Sequence, residues 1–294
     1  MMTVLRLFVS MMGVALLSSS TVTAQRGEWR SYGADAASTK YSPLDQITAA
    51  NVGDLQVAWR QSTIPEAIRQ GSTVRAPSVV QNTPLMAGGR LYVSTALGTV
   101  AALDAGTGEV VWFDPLPEGV VRRGGASRGV AYWSDSMSDE ARVIAVVGST
   151  LVALDASTGE RYDDFGDGGE VDLTQGYDRG AVAGFAWRSA PVVVNDVVVV
   201  GSAMTDIVNE TMPARKEMPP GDVRGFDVRT GEQLWIFHTV PQEGEVGNET
   251  WLTGPNEDRA SWEYTGNTNM WAWPSADEEL GYVYLPLSTP TNDY

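Results

Sequence analysis

Three arginines, Arg122, Arg123 and Arg128, fall in a glycine-rich stretch of a chain whose net charge is −17. Guanidinium forks match carboxylate and phosphate oxygens, so this cluster reads as a seat for an anionic ligand. Trp262, Trp271 and Trp273 crowd together with Asn267 and Asn269. Flat indoles can floor a site by stacking, although interior packing accounts for one or two of them. Other chemistries fall away. One histidine and no cysteine exclude metal sites built from those ligands. His238, in W-I-F-H-T-V, reads as a surface or interface histidine. G-A-S-R-G at 125–129 has the spacing of a nucleophile elbow, but no strand precedes it and no helix follows. D-D-F-G-D-G at 163–168 puts Phe165 where a calcium loop needs a ligand, and Thr174 where it needs glutamate. That stretch reads as a tight acidic turn.

The elements that must position these residues are repeats. Residues 102–112 read A-L-D-A-G-T-G-E-V-V-W, and 225–235 read G-F-D-V-R-T-G-E-Q-L-W. Residues 153–163, A-L-D-A-S-T-G-E-R-Y-D, carry the same turn with Asp163 in place of tryptophan. Asp and Thr can fold onto nearby backbone N–H groups, and Gly supplies the positive φ that closes a hairpin. Each copy follows an apolar, β-branched run. Asp104, Asp155 and Asp227 stand 51 and 72 residues apart, periods that suit four-stranded propeller blades, the second with an insertion. An isolated blade cannot bury both faces, so blades must stack. Trp112 and Trp235 are expected between blades, and the copy lacking tryptophan is expected to make a weaker contact. Sustained helical periodicity is absent outside the first 24 residues. The expectation is an all-β chain of about four blades. The last repeat, with Trp271 and the strand G-Y-V-Y-L-P-L, stops at Tyr294 without a closing hairpin, as an incomplete ring would.

Residues 1–24 read as a signal peptide: Arg6, an apolar core from Leu7 to Leu17, then Val22 and Ala24 ahead of a cut before Gln25. The core falls short of the ~20 residues that a membrane span needs. An exported domain of residues 25–294 follows. Loss of Arg6 takes its charge from −17 to −18, which argues against nucleic acid as a partner. The absence of cysteine permits an oxidising compartment without demonstrating one.

The repeated A-L-D-x-x-T-G-E-x-x-W resembles the tryptophan-docking motif of the pyrroloquinoline quinone (PQQ) dehydrogenases, which are periplasmic eight-bladed propellers. N-V-G-D-L-Q-V-A-W at 51–59, T-P-L-M at 83–86, R-G-V-A-Y-W at 128–133 and D-D-F-G-D-G-G-E-V-D-L at 163–173 are similar to theirs. So are S-A-P-V-V-V at 189–194 and S-A-D-E-E-L-G-Y-V-Y-L-P-L at 275–287. The likeness spans residues 27–294, about the first half of a full-length member, and is strongest to the glucose and quinate dehydrogenase branch.

The resemblance implies oxidation of a sugar, polyol or alcohol in the periplasm with PQQ and calcium, and a quinone or cytochrome as electron acceptor. It places Arg128 against the quinone oxygens, Arg188 or Ser189 against its carboxylates, and Trp271 as the floor on which it stacks. Asp206, in G-S-A-M-T-D, would be the acidic calcium ligand. Gln81 stands where relatives often place a glutamate. The adjacent-cysteine pair of some alcohol-oxidising members is absent; Arg122 and Arg123 occupy that neighbourhood. The family's general base is expected beyond residue 294, which would leave this chain catalytically incomplete. The alternatives are a non-catalytic propeller scaffold of the cell envelope, which leaves Arg128–Trp133 and Asn267–Trp273 without a task, and a short form that binds cofactor without turnover.

Overall fold

A computed structural model describes residues 27–62, 66, 80–115, 128–178, 185–204, 217–252 and 258–290. Residues 1–24, with the expected signal peptide, lie outside them. Helix is confined, among the described residues, to Glu66 and the 3-10 turns Val52–Asp54, Asn248–Thr250 and Ser261–Glu263. The rest is strand, turn and loop, as the sequence expects.

Three four-stranded antiparallel sheets follow one another along the chain. The first is β1 (Leu85–Ala87), β2 (Arg90–Ser94), β3 (Val100–Asp104) and β4 (Val110–Phe113). The second is β5 (Ala131–Ser134), β6 (Ala141–Val147), β7 (Thr150–Asp155) and β8 (Glu170–Asp172). A short ribbon pairs β9 (Phe185–Ala186) with β12 (Ala203–Met204). The third sheet is β10 (Val192–Val194), β11 (Val197–Val200), β13 (Val223–Asp227) and β14 (Gln233–Phe237). A second ribbon, β15 (Ser275–Asp277) and β16 (Tyr282–Tyr284), opens the next repeat. The innermost strands β1, β5, β10 and β15 touch in sequence order. Three apolar cores lie between neighbours: Tyr92 and Trp112 with Val143 and Leu154, then Ile144 and Leu151 with Val198 and Phe226, then Val199 and Val223 with Met270 and Ala276. The described sheets therefore form an open arc of propeller blades. β6 and β7 are buried almost throughout because a blade covers each face.

The repeated turns are the same object three times, each joining the third strand of a sheet to the fourth. Asp104, Asp155 and Asp227 each accept at Oδ1 from the backbone N–H groups two and three residues on, at 2.8–3.0 Å. The threonine hydroxyl accepts from the following glutamate N–H at 3.2 Å in all three. Gly108, Gly159 and Gly231 take φ of 75°, 77° and 73°, the left-handed conformation that the hairpin requires.

Each blade grips the turn of the next. Trp112 donates from Nε1 to the Ala156 carbonyl at 3.1 Å, and its indole covers Gly159 so closely that a Cβ there would lie 2.5 Å from the ring. Trp59 grips the first turn in the same way, with Nε1 3.2 Å from the Ala105 carbonyl and its ring over Gly108. Arg90 donates to the carbonyls of Ala156 and Ser157, and Tyr92 adds its hydroxyl to Ala156. Arg142 repeats this one blade later, on Val228 and Arg229, and Asn195 does so on Glu278.

Two expectations need amending. The copy without tryptophan is not left bare: Phe165, wholly buried, and Val171 cover Gly231, and the Gly166 N–H donates to the Thr230 carbonyl at 2.7 Å. The acidic turn at 163–168 thus fills the missing indole's place. Trp235 packs beside the third core, but its ring lies over Gly225 of its own sheet, and nothing lies within 4 Å of where a Cβ would stand on Gly281.

His238, directly after β14, bridges two carboxylates, Glu245 at 2.7 Å and Asp178 at 3.2 Å. Burial by itself would lower its pKa, but the Glu245 hydrogen bond and the charges of Asp222 and Glu245 outweigh burial and raise it. A histidine whose folded pKa is raised stabilises fully below the unfolded value near 6.5, and the contribution fades as pH climbs through the folded value. His238→Gln is therefore expected to flatten that pH dependence by about 1 kcal/mol or less, the range of exposed ion pairs, as read from urea melts at pH 5.5 and 8.5. Parallel stability profiles for the two proteins would refute it.

Candidate cofactor site

The segments leading into the four inner strands meet at one end of the arc. Pro84, Pro191 and Pro274 each stand directly before the first strand of a repeat. Proline has no N–H to leave unpaired, so it suits an edge strand. The residues just ahead of these positions carry the chemistry.

Arg128, half-buried three residues ahead of β5, is the hub. Its Nε donates to Gln81 Oε1 at 3.1 Å, and its Nη1 donates to the Trp271 carbonyl. The guanidinium carbon stands 4.8 Å from the centre of the Trp271 ring and 5.5 Å from that of Trp273. The Arg128 backbone N–H donates to the Arg188 carbonyl at 3.1 Å, and Ser189 Oγ donates to the Met270 carbonyl at 3.0 Å. The lead-ins to β1, β5, β10 and β15 are thus linked in order, 81 to 128 to 188–189 to 270–271. Gly129 permits this closeness: with φ of 138°, a Cβ there would lie 3.3 Å from the Thr83 carbonyl oxygen. Gly201 does likewise against Met270, whose oxygen would be 2.4 Å from an added Cβ.

Burial, and after it the like charge of Arg188, pull the Arg128 guanidinium below its ordinary pKa. Among the described residues, no ion pair joins Arg128 or Arg188 to a carboxylate. Two guanidinium groups without acidic partners, in so acidic a chain, favour an incoming anion. Trp271 keeps 47% of its surface exposed, so an indole face beside Arg128 is open to a flat ligand.

Of the residues singled out from sequence, Gln81, Arg128, Arg188, Ser189 and Trp271 therefore converge. Asn267 and Asn269 are buried and belong to the loop that supports the tryptophans: the Asn267 N–H donates to the Pro219 carbonyl, and Asn269 Oδ1 accepts from Ser288. Asn267 and Thr268 hold positive φ of 61° and 52°, backbone conformations that side chains disfavour and that cluster at functional sites. Trp262 lies in the 3-10 turn Ser261–Glu263. Arg122, Arg123 and the metal candidate Asp206 lie outside the described residues. Among the described residues, no group of three or more His, Asp or Glu side chains is arranged to hold a metal ion.

Sequence reasoning grouped Trp273 with the candidate stacking floor but gave it no partner, and missed Tyr32. Their rings stack with centroids 3.8 Å apart and planes within 9°. No local pattern marks this pair, which lies 241 residues apart; Trp29 Nε1 holds only the Tyr32 carbonyl, at 3.1 Å.

Residues 29–294 match the β-propeller domain described as PQQ glucose/ethanol/alcohol dehydrogenase. The chain belongs to this PQQ dehydrogenase family. A similar relative is the glycerol dehydrogenase large subunit of Gluconobacter thailandicus, 31% identical over 95% of this chain and 36% of its own length. The quinate/shikimate dehydrogenase (quinone) of Acinetobacter baylyi is 30% identical over 90% of this chain and 33% of its own. The quinohemoprotein alcohol dehydrogenase structure from Comamonas testosteroni superposes with a TM-score of 0.67 at 26% identity, over 92% of this chain and 37% of the other. The chain spans about a third of the length of these PQQ dehydrogenases, not the half that the resemblance implied. Its arc of blades corresponds to part of their propeller.

Proposed function

We propose that this chain forms the cofactor-binding sector of an exported, PQQ-dependent dehydrogenase that oxidises a hydroxyl group of a sugar, polyol or alcohol in the periplasm. The observation that carries the reading is the Arg128 guanidinium, 4.8 Å over an exposed indole and without a carboxylate partner among the described residues. PQQ is a planar tricarboxylate, and this is the donor set that such a molecule needs: an aromatic face with cationic forks beside it. Bound there, the quinone supplies a two-electron acceptor for the carbinol carbon.

In this reading, Trp271 stacks on the ring system, Arg128 donates to its oxygens, and Arg188 with Ser189 faces its carboxylates. Gln81, neutral where relatives often carry glutamate, aims Arg128 without neutralising it. Asp206 is proposed as a ligand of the calcium ion, which would hold and polarise the quinone as a hard Lewis acid. The electron acceptor is a quinone or a cytochrome.

The test is a titration of residues 25–294 with PQQ in the presence of Ca²⁺, followed by quenching of tryptophan fluorescence. Trp271→Ala is expected to weaken binding by roughly 1–3 kcal/mol, the range for a flat ring stacked on an aromatic side chain, or about 5–150-fold. Unchanged affinity in that variant would remove Trp271 as the floor.

A further inference from the structure

The segment before the first blade is a strap across the open side of the arc. Trp29 exchanges two backbone hydrogen bonds with Met86, each 2.8 Å, and so adds to the inner edge of β1. Seven residues later the Ala36 carbonyl accepts from the Ala276 N–H of β15 at 2.7 Å. From Gly33 through Lys40, around and just past the second anchor, the chain is tightly folded. Ala34, Ser38 and Lys40 all hold positive φ, of 81°, 57° and 54°, and an added Cβ on Gly33 would lie 2.5 Å from Ser38 Cα. Backbone strain of this kind persists only where the surroundings over-determine it. Here they include Asp35, which accepts from the Thr39 N–H and hydroxyl, and Trp29, which holds the Tyr32 carbonyl.

What the strap presents is Tyr32, laid flat on Trp273. Trp273 in turn borders a cavity of about 570 Å³ along the inner strands, and stands two residues from Trp271, across a bend at Ala272. Arg128 lies near both indoles and also takes the Trp271 carbonyl.

We propose that Tyr32 is a positioning residue: by stacking on Trp273 it sets the Trp271 indole and carbonyl that Arg128 and the cofactor use. This rests on the reading of that indole face as the quinone site. The strap thereby ties the cofactor floor in the fourth repeat to the inner edge of the first blade.

The experiment compares the parent, Tyr32→Leu and Tyr32→Phe for PQQ affinity by fluorescence quenching, with near-ultraviolet circular dichroism and thermal melting alongside. Tyr32→Leu keeps bulk but lacks a stacking plane. It is expected to weaken PQQ binding roughly two- to tenfold, the span that one aromatic pair contributes, and to alter the tryptophan dichroism; Tyr32→Phe restores both. A lowered melting temperature with unchanged PQQ affinity means that the strap is only structural, and overturns the proposal. A parent that does not bind PQQ overturns the underlying reading instead, and the two failures are distinct. A measurement on the parent alone covers the case in which Tyr32→Leu does not fold. Because coupling between sites is reciprocal, PQQ should slow amide exchange across residues 29–38, and unchanged exchange there also overturns the assignment.

Discussion

Trp112→Ala is expected to lower the unfolding free energy by about 3–5 kcal/mol, the usual cost of deleting a large buried aromatic side chain. The indole is 7% exposed and carries three duties at once. It fills the first core, covers Gly159, and donates to an Ala156 carbonyl that also receives Arg90 and Tyr92. Alanine would leave a cavity between two blades whose backbones are already pinned together, so little collapse can relieve it. Gly159→Ala attacks the same contact from the other side, where the new methyl meets the indole at 2.5 Å on a backbone with φ of 77°. Trp235→Ala serves as the control, since that ring is half-buried and lies over its own sheet. Urea melts of the three variants decide it. A Trp112→Ala loss below about 1 kcal/mol, or one no larger than that of Trp235→Ala, would refute the docking account.

The second large effect concerns binding. Arg128→Gln is expected to weaken PQQ binding by about 1.5–3 kcal/mol, the contribution of hydrogen bonds to a charged group, or roughly 10–150-fold. The backbone link to Arg188 survives this substitution, whereas the side-chain bonds to Gln81 and the Trp271 carbonyl do not, so thermal melts are run beside the titration to confirm that both proteins are folded. Arg128→Lys should recover only part of the loss, since an ammonium lacks the planar fork that meets Gln81 and the Trp271 carbonyl together. The charge should also show in salt dependence, with the parent losing more affinity than Arg128→Gln as ionic strength rises. Equal Kd values for parent and Arg128→Gln would strip Arg128 of its place in the site.

How much of this was legible in the sequence divides along a physical line. The hairpin turns were legible because all their interactions are local: Asp227, Thr230 and Gly231 bond within five residues, and so write themselves as a motif. The grip of one blade on the next was only half legible. Tryptophan is rare enough to stand out at a fixed offset, whereas Arg90, Arg142 and Asn195 serve the same task from ordinary positions in or just before a strand. Their partners lie 66, 86 and 83 residues away, and no local pattern marks them. The weaker contact expected of the copy without tryptophan failed for the same reason, because Phe165, from a different loop, covers the Gly231 of the next turn. In the site, Arg128 and Trp271 stood out by residue type and took their roles from the family resemblance; their closeness across 143 residues is a product of the arc.

The blade contacts have a direction. Trp112, Arg90 and Tyr92 give, and the turn of the following blade receives; Arg142 and Asn195 keep the same sense. Nothing in that contact is self-complementary, so it cannot be built about a two-fold axis. An assembly that reuses it must run head to tail, and such heterologous contacts end either in a closed ring or in an open filament. The choice between ring and filament then rests on one angle, the rotation from each blade to its successor.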